Sequence, residues 1–179
     1  MKRLRIAAAL CLSTLASAST LLAQSIPPVK AKALDDSEVV LPKPGGQQFL
    51  ILVLGFSHKS GGNCTPWDKR IAADYGSESH IAYYQLPVLA GAPSMIRPMI
   101  LNGMRKDVPA FLHPHFVPIY DHEEDWKKLV NFSGADDAYI LVTGPDGHVL
   151  WHTHGPLTEA AYAELQSNIT KLAPNSSKP

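Results

Sequence analysis

The apolar run Phe49-Leu50-Ile51-Leu52-Val53-Leu54, closed by Gly55 and a polar loop, has the pattern of a strand covered on both faces. Behind the loop, Thr65 as N-cap and Pro66 as first helical residue predict a helix through Trp67 to Tyr75, stopped by Gly76. Residues 80–88 alternate Ile81 and Tyr83 with Ala82 and Tyr84, which predicts a second strand and closes a βαβ unit. Residues 89–122 carry Pro98, Pro109, Pro114 and Pro118 and read as an inserted excursion with a helix over 94–105. Residues 123–131 predict a short helix that packs through Trp126, Leu129 and Val130. Two strands over 139–143 and 148–153 flank Gly144-Pro145-Asp146-Gly147 as a hairpin. Thr158 caps a last helix over 159–172, with Ala161, Leu165, Ile169 and Leu172 near one face.

The order β-α-β, excursion, α, hairpin, α resembles the thioredoxin-like fold. That likeness implies an α/β domain: a central mixed sheet of four to five strands flanked by helices, with an insertion between the second core strand and the following helix. An extra N-terminal strand is expected from the β-prone piece 38–41, inside a Pro- and Gly-rich lead-in over residues 24–48. The domain itself spans 49–172, and 173–179 reads as a disordered polar tail.

Ahead of this, Lys2, Arg3 and Arg5 precede an apolar stretch over 6–15 and the triplet Ala16-Ser17-Ala18. This is the pattern of a secretory signal over residues 1–23, cleaved after Ala18 or Ala23, and it predicts a periplasmic or secreted protein. The whole chain balances Lys+Arg 16 against Asp+Glu 16. Cleavage removes three basic residues and no acidic one, so the mature chain is slightly acidic. It has no Lys/Arg run, which excludes a nucleic-acid footprint. After the signal, no apolar run is long enough to span a bilayer.

Candidate chemistry centres on one thiol. Of the two cysteines, Cys11 lies in the signal, so the mature chain keeps Cys64 and has no intramolecular disulfide. Placed after the first core strand and before the predicted helix, a Cys64 thiolate would face unpaired N–H groups and the positive end of the helix dipole. It then serves as a nucleophile or ligand, or it is a structural relic. The segment reads Cys64-Thr65-Pro66-Trp67, with Trp67 where Cys-x-x-Cys enzymes have their second thiol. Histidines form a second group: His58, His113, His115, His122, and the stripe His148, His152 and His154. No cofactor is called for, and the residues read as scattered loop and surface side chains; a metal set of His58, Cys64, His152 and His154 is the alternative.

Met95 to Pro109, followed by residues 113–120, is similar to the "lRkxiP" segment of the mitochondrial ATP synthase assembly factor ten family. Tyr139-Ile140-Leu141-Val142, Asp146-Gly147-His148-Val149-Leu150-Trp151, Gly155 and Thr158-Glu159 resemble that family's ending. The best-matched positions are Arg105, Pro109, Gly147, Trp151 and Gly155, and the likeness covers about 49–172. It implies a thioredoxin-like fold without the redox motif that assists assembly of a membrane-embedded subunit. Ala138 stands where a redox-active relative places a cis-proline, and Leu150 replaces the family's Arg. The expected protein is a non-catalytic binding or assembly factor for a protein partner, a membrane-embedded one by the resemblance, with His58, Trp67, Arg105, Pro109 and Trp151 as binding residues. The alternatives are a single-cysteine thiol oxidoreductase with Cys64 as catalytic nucleophile, or a metal-handling protein.

Overall fold

The structure, a computed structural model, describes residues 24–172; the expected signal (1–23) and tail (173–179) lie outside the described residues. In chain order the elements are β1 (Val29–Lys32), β2 (Glu38–Leu41), β3 (Phe49–Gly55), α1 (Gly61–Tyr75), β4 (Ile81–Pro87), α2 (Arg97–Asp107), α3 (Glu123–Leu129), β5 (Ala138–Thr143), β6 (Val149–His154) and α4 (Glu159–Leu172). The central sheet runs β4-β3-β5-β6, with β3 and β4 parallel and the β3–β5 and β5–β6 pairs antiparallel.

β3 is buried on both faces, as its unbroken apolar run requires. The two-residue period of a strand then divides its side chains between two cores. Leu50, Leu52 and Leu54 pack with Leu86, Tyr139, Leu141 and Trp126, together with Ile26, Val29, Val39 and Leu41 of the lead-in. Ile51 and Val53 pack with Cys64, Trp67 and Ile71 of α1 and with Tyr162, Leu165 and Ile169 of α4. One face is therefore covered by the lead-in and α3, and the other by α1 and α4.

The N-terminal strand does not extend this sheet. β1 and β2 pair with each other, Val29 opposite Leu41 and Lys32 opposite Glu38, as a separate antiparallel hairpin. Both edges of the central sheet already have short backbone partners, the common way an edge is kept from further pairing. Val117 and Ile119 donate their N–H groups to Gln85 and Pro87 of β4 at 2.8 and 2.9 Å, and at the β6 end Val149 N–H reaches Gln24 at 2.8 Å.

The β5–β6 turn is built as its Asp-Gly pair predicts. Gly147 holds φ +82°, Gly144 N–H reaches the His148 carbonyl at 2.9 Å and Asp146 Oδ1 accepts from His148 N–H at 3.1 Å. Pro98 falls in the first turn of α2, where a missing N–H costs no hydrogen bond. Thr158 caps α4, its hydroxyl accepting from Ala161 N–H at 3.1 Å.

Candidate functional site

The largest departure from the sequence pattern is at the start of α1. The helix begins at Gly61, with Ser60 as N-cap and Pro66 inside it, five residues before the start that Thr65–Pro66 signals. Two serines close the preceding turn: Ser57 Oγ accepts from Ser60 N–H at 3.0 Å and Ser60 Oγ donates to the Ser57 carbonyl at 2.7 Å. Asp136, ahead of β5, ties the turn down by accepting from Ser57 Oγ at 2.8 Å and Asn63 Nδ2 at 2.9 Å.

This start relocates Cys64. It is the fourth helical residue, its N–H already bonded to the Ser60 carbonyl at 2.8 Å, so it has no unpaired donors of its own and no exposed surface (0 % accessible). The thiol donates to the Leu54 carbonyl at 3.5 Å. Burial pushes it up to about 12; the nearby Asp68 carboxyl adds to the rise and the Ser60 hydroxyl opposes it. Packing is tight: a Cβ on Gly55 would stand 2.5 Å from Ser60 Oγ and 3.1 Å from Cys64 Sγ. The first-turn position that is half-buried and lines the cleft is Gly61, three residues earlier, although the N–H groups of Gly61, Gly62 and Asn63 are already bonded to the carbonyls of His58, Lys59 and Ser60 at 3.4, 3.1 and 2.9 Å. Trp67 is as buried as Cys64, its indole N–H donating to the Gly155 carbonyl at 3.1 Å.

Above α1 lies a cleft of about 660 Å³, within the size range of ligand sites. Its walls come from the loop after β3 (Phe56, Ser57, His58), the first turns of α1, the end of β4 (Gln85, Pro87) with Val88 just after it, and the insertion (Ile100, Met104, Asp107, Val108, Pro109, Leu112, Phe116). α2 forms its roof although none of its side chains is fully buried; arginines hold both ends of the helix instead. Arg97 Nε donates to the Ala92 carbonyl at 3.0 Å and its guanidinium lies 4.2 Å from the Tyr120 ring centre. Arg105 donates to the Leu34 carbonyl at 2.8 Å and to Asp36 Oδ1 at 2.9 Å.

One polar group stands out in this cleft. Asp68 is 2 % exposed, its Oδ1 is buried without a hydrogen-bond partner among the described residues, and burial raises its carboxyl to about 7. Sequence reading missed it because Asp68-Lys69-Arg70 looks like a solvated run. The signal was present all the same: Asp68 falls at i+4 from Cys64 and i−3 from Ile71, on the apolar stripe of α1.

Of the expected binding residues, His58 and Pro109 line the cleft. Arg105 anchors its roof, and Trp67 lies beneath α1 in the core. Trp151 sits on β6, its indole N–H donating to Glu164 of α4 at 3.3 Å. The alternative metal set does not assemble: Cys64 is buried, His154 bonds Asp137 at 3.0 Å, and no three His, Cys, Asp or Glu side chains among the described residues form a metal-binding group.

No family model matches the chain, and no curated protein does either. Solved structures do. The exposed lipoprotein thioredoxin Etrx1 of Streptococcus pneumoniae is 10% identical with a TM-score of 0.56, covering 80% of this chain and 98% of that one. A structure described as a thiol:disulfide interchange protein DsbE, from Chlorobium tepidum, is 16% identical with a TM-score of 0.53, covering 83% and 95%. BsSco, a member of the Sco family of cytochrome c oxidase assembly proteins, is 13% identical with a TM-score of 0.53, covering 83% and 95%. The fold is α/β and thioredoxin-like. The likeness to the ATP synthase assembly factor rests on the quoted motifs alone.

Proposed function

We propose that the chain is an exported, non-catalytic binding protein on a thioredoxin-like scaffold, which takes a polypeptide partner into the cleft between α1 and α2. The observation that carries this reading is the sealed Cys64: a thiol without accessible surface, raised to about 12, with Trp67 rather than a second cysteine three residues on. A nucleophile needs a populated, accessible thiolate, whereas the cleft offers apolar walls with a few convergent polar groups, the make-up of a binding site. The assembly-factor resemblance supports an apolar, membrane-embedded partner, and of its best-matched positions Pro109 lines the cleft and Arg105 ties down the helix above it. Sco proteins are one case in which this scaffold serves assembly.

The second reading, a single-cysteine thiol oxidoreductase, is favoured by similar structures described as thioredoxin or thiol:disulfide interchange proteins. It requires α1 to open so that Cys64 meets solvent. A pull-down from envelope membranes separates the two. Wild type and Cys64→Ala should recover the same partner, while Met104→Glu, which places a charge against the apolar walls, should lower recovery by about tenfold or more. Loss with Cys64→Ala and retention with Met104→Glu would reverse the order of the readings.

A further inference from the structure

A buried carboxyl without a partner is costly to keep, and the structure around Asp68 indicates what would repay it. The walls of the cleft are largely apolar. The ionisable groups lining it are Asp68, Asp107 and Glu123 against His58, so its charge is acidic. Glu123 is met by Lys127 at 2.8 Å, but Asp68 Oδ1 meets no hydrogen-bond donor among the described residues. The complementary occupant has an aliphatic body and a cationic donor at its end.

We propose that the cleft receives a lysine side chain of the partner polypeptide, its stem along Val88, Ile100 and Met104 and its ammonium on the Asp68 carboxylate. The proposal rests on the reading of the cleft as the partner's contact surface and adds the chemistry of the contact. An ammonium donates three hydrogen bonds and carries the charge that a desolvated carboxylate needs. Binding therefore ionises Asp68 and releases its proton when the complex forms below pH 7.

The groups facing Asp68 fix the expected pH dependence. Cys64 on the same helix and Tyr83 on β4 are both raised by burial and by the Asp68 charge, so they keep their protons at neutral pH. His115 stacks on Tyr83 at 4.0 Å and binds its carbonyl through Nδ1 at 3.0 Å. Asp107 and Glu123 line the same cleft. His58 also lines it and, when protonated, repels an ammonium, so its share of the pH effect needs its own variant.

The test uses an array of pentapeptides with apolar residues flanking a central lysine, each paired with the same peptide carrying norleucine, read by NMR titration of the folded protein. Lysine peptides should bind at least about tenfold tighter than their norleucine partners at pH 8. The affinity for lysine peptides should fall by up to about thirtyfold on going to pH 5.5, as Asp68 takes up its proton, and the preference over norleucine should be lost. Asp68→Asn should abolish the preference, and His58→Gln should keep most of the pH dependence. Equal binding of the two series, or binding that strengthens as pH falls, overturns the proposal while leaving the binding-protein reading standing. Free hexylamine binding as tightly as the best peptide overturns the polypeptide occupant. If Asp68→Asn fails to fold, the lysine-against-norleucine comparison across pH in the wild type decides alone.

Discussion

Between pH 5 and pH 8 the folded protein is expected to lose about 3 kcal/mol of stability that the Asp68→Asn variant keeps. The sign follows from burial. Asp68 is 2 % exposed and its carboxyl is raised to about 7 from an ordinary 3.8. Below pH 3.8 it is protonated in the folded and unfolded chains alike, and ionisation costs nothing. As pH rises from about 4 to about 7 the unfolded chain gives up the proton and the folded chain holds it, so the unfolded state gains. Above pH 7 both states are ionised and the loss is complete. Asparagine keeps the shape and removes the charge, so the difference in unfolding free energy between wild type and variant should widen steadily over this interval. Urea unfolding at three or four pH values measures it. Parallel curves for the two proteins would mean that Asp68 ionises freely and that the cleft floor is wetter than the structure has it.

Gly61→Cys should give this scaffold a redox-active dithiol. Gly61 opens α1, lines the cleft, and leaves open space where a Cβ would stand. It lies three residues before Cys64, where side chains on a helix share a face about 5–6 Å apart, within reach of a disulfide after local adjustment. A thiol there has access to solvent and sits at the positive end of the α1 dipole, so its pKa should fall below ~8.5. With Cys11→Ala in the background, mild oxidant should protect both thiols from alkylation and dithiothreitol should restore them. Alkylation of the introduced thiol at pH 6.5 should run about tenfold faster than that of an unperturbed cysteine. An introduced thiol of ordinary pKa that forms no bond with Cys64 would show that the start of α1 does not create a reactive position.

Much of this fold is legible along the chain because its signals are local and agree with one another. The unbroken run at Phe49–Gly55 marks a doubly covered strand, Asp146-Gly147 marks the hairpin, and Thr158 marks the last helix. The start of α1 is hidden because Thr65-Pro66 is a good helix-start signal in isolation, and Gly61-Gly62 a poor one. What sets the start is a serine turn, Ser57 with Ser60, tied down by Asp136, which is far away in sequence. That shift of five residues places Cys64 in the buried first turn instead of the exposed position ahead of the helix, and with it changes the chemistry of the site. The extra strand was misplaced for a similar reason: the piece 38–41 shows β pattern, but which edge is free depends on segments 24–26 and 116–119. Asp68 needed the apolar stripe of α1 to be read with its polar exception kept in view.

The central claim is that the cleft, rather than the thiol, is the working feature of this protein. Its most direct test is the rate of Cys64 alkylation by iodoacetamide in the folded protein between pH 6 and 9, with Cys11→Ala so that only one thiol is present. The account predicts a reaction limited by opening of the structure, at least about a hundredfold slower than in denaturant. A fast reaction of the folded protein with an apparent pKa below ~8.5 would contradict it and make Cys64 a working nucleophile.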